Sequence, residues 1–323
     1  MLFARERFAP DLPWSELRPL LPGWEITACP PPDVSDHLDG VDVLCPFWSP
    51  VTPATLGRAR LGLVQQFGVG LDKVALDAAT DAGVWVCRLP GDRTGNADSV
   101  ADLAVLHVLA ALRRLDEARA APSRGGWGEP MGRSLLGTTT LLVGLGAIGT
   151  AVARRLAGFG TRLVGVRAHP ERGGPPEVSE VLGPDALPAA LATADVVVCG
   201  ALAGPDNRHL FDARAFAAVR PGAVFVNVAR GSLVDEDALL AALDSGRLAA
   251  AGLDVFDAEP ADPAHPLWTH PRVLATPHVG GLTEAMFRRS AELFAGNLAR
   301  WADGRPPEWA VNEPPAPRTP PVS

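Results

Sequence analysis

Residues 141–156, LLVGLGAIGTAVARRL, admit few conformations: an apolar run leads straight into Gly144, Gly146 and Gly149, and these open a segment with helical apolar spacing. A buried strand, a tight turn and an amphipathic helix satisfy all three parts at once, and such a unit belongs in a parallel α/β sheet. There Gly144 permits the turn, Gly146 lets a pyrophosphate approach the backbone, and Gly149 lets the helix lie close on the strand. The amides of Ala147 and Ile148, at the helix N-terminus, would meet the phosphates. The segment therefore predicts a dinucleotide site, with a purely structural glycine turn as the plainer alternative.

The same alternation runs on both sides of this unit. Before it, VDVLCPFW, LGLVQQFGVG and VWVCRLPG read as buried strands, with TPATLGRAR and DKVALDAATDAG as helices between them. A long apolar helix is predicted from about Ser99 to Leu115, followed by the polar segment RAAPSRGGWGEPMGRS. From Thr139 the strands are TTTLLVG, TRLVGVR, ADVVVCG, GAVFVNVA, AAAGLDVF and VLATPH, and a helix from about Thr283 to Ala302 follows. The Pro-rich tail from Arg305 is expected to be loosely packed. This pattern predicts an α/β protein of two doubly wound parallel-sheet domains, one inserted into the other.

Composition narrows the function. At 323 residues the chain has length for two domains. A formal net charge of -8 and 20% charged residues, without a long basic run, argue against nucleic acid as a partner. Cys29, Cys45, Cys87 and Cys199 are far apart and form no CxxC pair, so neither a metal site nor a disulfide framework is expected. The start, MLFARERFAP, lacks an apolar core, and no stretch approaches the roughly 18 apolar residues of a membrane span. The expectation is a soluble, cytoplasmic protein with reduced thiols.

The strand TRLVGVRAHP ends in Arg167, where NAD-binding units usually carry an acid for the ribose hydroxyls. A guanidinium can pair with a 2′-phosphate that an acid would repel, so NADP(H) is preferred and NAD(H) remains possible. Arg172 and His169 are further candidates for that pocket. The alternative is a solvated strand-end charge.

Three later segments carry chemistry: VNVARG, LDVFDAEP and ATPHVGG. They hold Arg230, Glu259 and His278, a permanent cation, an acid and an imidazole. Arg230, closing a buried strand, can pair with a carboxylate and polarise a carbonyl. His278 can donate a proton to a ketone oxygen, and Glu259 can bond the far ring nitrogen and fix the tautomer. Gly280 and its neighbour would let a nicotinamide ring lie close to the backbone. Asp257 is a decoy beside Glu259. The alternatives are a packed histidine, a solvated acid and a structural ion pair.

The order and context of these segments behind GLGAIG resemble the D-isomer-specific 2-hydroxyacid dehydrogenase family. The likeness spans most of the chain and is strongest from Leu135 to Gly281. It implies a Rossmann cofactor domain, 99–286, inserted into a flavodoxin-like substrate domain, 1–98 and 287–323, with the motifs converging between them. It also implies that Asp254 and the carbonyl of Val228 or Ala229 contact the nicotinamide carboxamide, and that Leu202 packs near the pyrophosphate or nicotinamide ribose. Residues 201–203 read ALA where relatives have PLT, and Arg88 stands where they carry asparagine. A homodimer is implied, with Ser99 to Met131 supplying an apolar helix and an arm.

On the substrate side, the turn Gly68 to Gly70 can present the amides of Val69 and Gly70 to a carboxylate. Trp48, with Phe47, and Trp268 are candidate apolar walls; His265, Cys87 and Arg88 have weaker claims. The expected reaction is NADP(H)-dependent reduction of a small 2-oxoacid such as glyoxylate or hydroxypyruvate, with His278 as proton donor. A nucleotide-sensing corepressor or scaffold on the same fold, without turnover, is the alternative. Relatives that oxidise formate carry glutamine at Glu259, and the ending at Ser323 disfavours a phosphoglycerate dehydrogenase with a further regulatory domain.

Overall fold

Short apolar runs bounded by turn residues become parallel strands buried on both faces, as continuous apolar strands require. The computed structural model describes residues 1–4, 17–29, 34–58 and 60–319. Most of the opening segment MLFARERFAP, and residues 320–323 of the Pro-rich tail, lie outside these. The chain divides into two units, Met1–Asn96 with Leu282–Ser323, and Ala97–Gly281.

The first unit holds β1 (Leu2–Phe3), β2 (Thr27–Ala28), β3 (Val43–Cys45), β4 (Leu63–Gln65) and β5 (Trp85–Cys87), all parallel, in the order β2-β1-β3-β4-β5. This is the flavodoxin-like doubly wound order. The helix Glu284–Ala302 packs on it, its start capped by the Thr283 hydroxyl, which accepts from the Met286 amide. Phe287 and Phe294 of that helix meet Phe67 at ring distances of 5.2 and 5.5 Å.

The tail departs from expectation. Among its described residues, Asn312 Oδ1 accepts from the Val86 amide at 2.7 Å, the Arg318 amide donates to Gly83 O, and Ala310 bridges Cys87. The edge strand β5 thus has its exposed backbone groups covered, a common remedy for an open sheet edge.

In the second unit, seven parallel strands run in the order β12-β11-β10-β9-β6-β7-β8. They are β6 (Thr139–Val143), β7 (Arg162–Val166), β8 (Glu180–Leu182), β9 (Val196–Cys199), β10 (Ala223–Asn227), β11 (Leu248–Leu253) and β12 (Val273–Ala275). The chain winds one way from β6 through β8 and the other way from β9 onward, so the strand order reverses at β6 and β9, the usual ligand position in an open parallel sheet. The predicted helix from Ser99 to Leu115 is observed as Asn96–Arg113; it stops because Arg114 turns to a φ of +51°, and a second helix, Leu115–Ala120, begins.

Register matters most for the site. Val143 pairs with Val166 and Cys199, Cys199 with Asn227, Asn227 with Leu253, and Leu253 with Ala275. Six strands therefore end on one line, and residues 144, 167, 200, 228, 254 and 276 leave the sheet side by side.

Candidate active site

That line of strand ends brings the glycine turn and the three chemistry-bearing segments to one edge of the second unit. Gly144 has a φ of +97°, and a Cβ there would lie 2.5 Å from Ala201 backbone atoms; at Gly149 it would lie 1.9 Å from Gly144 O. Both positions exclude any side chain. Gly146 is different, because a Cβ added there meets nothing within 4 Å. Packing does not demand that glycine, whereas a group seated against the backbone would. The helix Ala147–Leu156 starts at Gly146 without a side-chain cap, so the first amides, including those of Ala147 and Ile148, suit an anion. The turn fits a pyrophosphate.

Arg167 follows β7 as expected, half-buried, its Nη1 donating to Gly173 O at 2.6 Å. Leu202 is 76% exposed in the loop after β9. Val228 and Ala229 are buried just past β10, and the Ala229 carbonyl accepts from Arg230 Nη1 at 2.7 Å.

Arg230 is held by its backbone. Asn227, 1% exposed, donates through Nδ2 to Arg230 O at 2.9 Å and accepts from the Ala229 amide at 3.1 Å. Gly231 then packs so tightly that a Cβ would lie 1.8 Å from the Phe256 carbonyl carbon. VNVARG and LDVFDAEP are thereby clamped together. Neither Asn227 nor Gly231 was singled out from the sequence; a polar residue closing an apolar strand was the available signal.

Glu259 completes the second segment. Its Oε1 accepts from the Phe256 amide at 3.0 Å and its Oε2 from His278 Nδ1 at 2.7 Å. Burial works against the charged carboxylate, but the hydrogen bond and charge of His278, the Phe256 amide and the charge of Arg230 outweigh it and hold the carboxyl below its ordinary value. A carboxylate can only accept, so Nδ1 carries the hydrogen and Nε2 is the ring nitrogen left to bind a further proton. Asp257, by contrast, pairs with Arg208 at 2.6 and 3.0 Å.

His278 stands on a loop clamped by Asp254. Asp254 Oδ1 accepts from the Thr276 hydroxyl at 2.6 Å and the Val279 amide at 2.9 Å, and Oδ2 accepts from the Gly280 amide at 2.8 Å. The His278 amide donates to Asp254 O at 2.8 Å. Asp254 is 2% exposed, and both its oxygens hold the loop. Trp268 stacks on Phe256 at 4.5 Å, and His265 pairs with Glu236 at 3.2 Å.

The remaining substrate-side candidates lie in the first unit. Phe47 and Trp48 follow β3, and Val69 and Gly70 follow β4. Gln66, which sequence reading passed over, donates through Nε2 to Phe47 O at 2.8 Å and Gly70 O at 2.9 Å, tying these loops together. Cys87 and Arg88 stand at the end of β5.

Residues 105–280 match the model of the D-isomer specific 2-hydroxyacid dehydrogenase, NAD binding domain. The chain is 34% identical over 264 residues to the glyoxylate reductase of Thermococcus onnurineus, covering 78% of this chain and 77% of that protein. It is also 34% identical to the D-3-phosphoglycerate dehydrogenase of Methanocaldococcus jannaschii, over 80% of this chain and 49% of that longer one. The crystal structure of the TT0316 protein from Thermus thermophilus is similar over 96% of this chain and 99% of that chain, with a TM-score of 0.83 and 34% identity.

Proposed function

The chain belongs to the D-isomer specific 2-hydroxyacid dehydrogenase family, and from that premise we propose that it reduces a small 2-oxoacid of the glyoxylate or hydroxypyruvate class to the D-2-hydroxyacid with NADP(H). Nicotinamide-dependent oxidoreduction at a CH–OH carbon follows from the family; substrate, nucleotide preference and direction are our reading. The His278–Glu259 pair, on the same sheet edge as the glycine turn, carries it.

Gly144, Gly146 and Gly149, with the amides of Ala147 and Ile148, would hold the pyrophosphate. Leu202, Val228, Ala229, Asp254 and Gly280 would line the nicotinamide side. When bound, the reduced cofactor supplies hydride to the carbonyl carbon. His278 delivers the matching proton to the carbonyl oxygen from Nε2, while Glu259 stabilises the imidazolium through Nδ1. Arg230 holds the substrate carboxylate and polarises the carbonyl. Trp48 and the amides of Val69 and Gly70, on loops joined by Gln66, are proposed for substrate binding.

Arg167 supports the NADP reading, because a cation at the end of β7 suits a 2′-phosphate. Homodimerisation is supported by the exposure of Trp127 at 93% and Met131 at 90% after the long helix. Light scattering should give the mass of two chains.

The deciding experiment compares glyoxylate, hydroxypyruvate, pyruvate and bulkier 2-oxoacids with NADPH and NADH. Higher kcat/KM for the small acids with NADPH is expected, and Arg167→Asp should reverse the nucleotide order. Nucleotide binding without turnover on any acid would instead favour a sensing scaffold.

A further inference from the structure

The mechanism above leaves His107 unused, although it is 0% exposed in the helix Asn96–Arg113. It shares a helix face with Val100 and Leu103, the i, i+3, i+7 spacing of a packed stripe. That face lies against the His278 loop: a Cβ built on Gly280 would come 3.5 Å from Val100 Cγ2 and 3.3 Å from Leu103 Cδ2. The His107 ring itself covers Gly252 of β11, where a Cβ would lie 2.5 Å from His107 Cβ.

His107 Nε2 is 3.2 Å from Thr276 Oγ1. Thr276 has one hydroxyl hydrogen and gives it to Asp254 Oδ1 at 2.6 Å, so toward His107 it can only accept. Nε2 therefore carries the ring hydrogen toward Thr276, and Nδ1, buried beside Gly252, makes no well-formed hydrogen bond among the described residues. Burial also holds the imidazole below its ordinary value against the opposing charge of Asp254 and a contact with the Gly252 backbone, consistent with a neutral ring. A competing acceptor is close by: Leu253 O lies 3.4 Å from the same hydroxyl. Without a donor fixing its oxygen, Thr276 can turn to that carbonyl, and Asp254 loses one of the three donors that lock it.

We propose that His107 is a positioning residue for the reaction: its Nε2–H aims the Thr276 hydroxyl at Asp254, and that carboxylate fixes the backbone carrying His278. The kinetic part rests on the reductase reading above; the structural part does not. An apolar side chain of similar size would fill the same space without burying a ring nitrogen, so packing alone does not call for an imidazole here.

The test uses His107→Leu, which removes the donor, and His107→Gln, which keeps an N–H of similar reach. Backbone amide exchange at Val279 and Gly280 reads the loop without cofactor or turnover. His107→Leu should speed exchange there roughly 3- to 10-fold, the range expected for one net hydrogen bond. kcat should fall by about the same factor while KM for the 2-oxoacid changes less than about two-fold, and His107→Gln should restore both. Unchanged exchange in His107→Leu, or equal loss in His107→Gln, overturns the proposal. His107→Met serves if the leucine variant does not fold. A wild-type protein inactive on every 2-oxoacid would overturn the reductase reading alone and leave the exchange comparison to decide His107.

Discussion

His278 Nδ1 lies 2.7 Å from Glu259 Oε2, and His278 makes that contact from a φ of +55°, in the left-handed region that non-glycine residues seldom occupy. Such a backbone costs on the order of 1–3 kcal/mol and persists only where its surroundings impose it. Here the His278 amide donates to Asp254 O and Thr276 O, at 2.8 and 3.0 Å, and Asp254 holds the next two amides. The imidazole direction is therefore set by main-chain bonds as well as by its carboxylate partner.

Removing the proposed proton donor should cost more than removing its partner. His278→Gln is expected to lower kcat by about 10²- to 10⁴-fold, the usual worth of a positioned acid–base group. Glu259→Gln keeps an acceptor but loses the charge and should cost roughly 10-fold or more in kcat with little change in nucleotide Kd. Near-normal turnover in His278→Gln would remove it from proton transfer.

The depressed Glu259 carboxyl has a consequence for acid stability. Its folded value lies below the ordinary 4.5, so its stabilising contribution is fully present above that value and is lost as pH falls through the folded value. Thermal melts of wild type and Glu259→Gln should thus differ most above pH 4.5 and converge below it. A gap that widens on acidification would contradict the assignment.

Two glycines of the same turn should respond oppositely to alanine. Gly149→Ala would drive Cβ to 1.9 Å from Gly144 O and should destabilise the protein by about 1–3 kcal/mol, seen as a lower unfolding temperature. Gly146→Ala, with open space, should melt within about 1 °C of wild type yet weaken nucleotide binding roughly 10-fold or more. Calorimetry and nucleotide titration on both variants distinguish the roles.

All four cysteines are buried, and burial pushes the Cys87 and Cys199 thiols up to about 12. Because the thiolate is the nucleophile, the folded protein should resist alkylation at neutral pH and take up four labels only in denaturant. Rapid labelling of the native protein would contradict this burial.

Strands such as LLVG, VVVC and AVFVN were legible because a run of apolar residues bounded by turn residues has few alternatives to a buried strand, and GLGAIG declares its turn through Gly144 and Gly149, where no side chain fits. β1, β2 and β8 were not, since two or three residues carry too little pattern. Nor was the tail, whose Asn312 and Arg318 find partners more than 200 residues away.

Arg230, Glu259 and His278 could be named from local context, because each sits beside residues that limit its backbone. Their convergence is another matter. It comes from a register in which Val143, Cys199, Asn227, Leu253 and Ala275 end on one line, and from the contact of Gly231 with Phe256. Likewise His107, Thr276 and Asp254, apart in the chain, become one hydrogen-bonded series only when the Asn96–Arg113 helix lies on β11. Local pattern is written by neighbours along the chain, whereas hydrogen-bond partners across a sheet edge depend on which strands lie side by side and in what register.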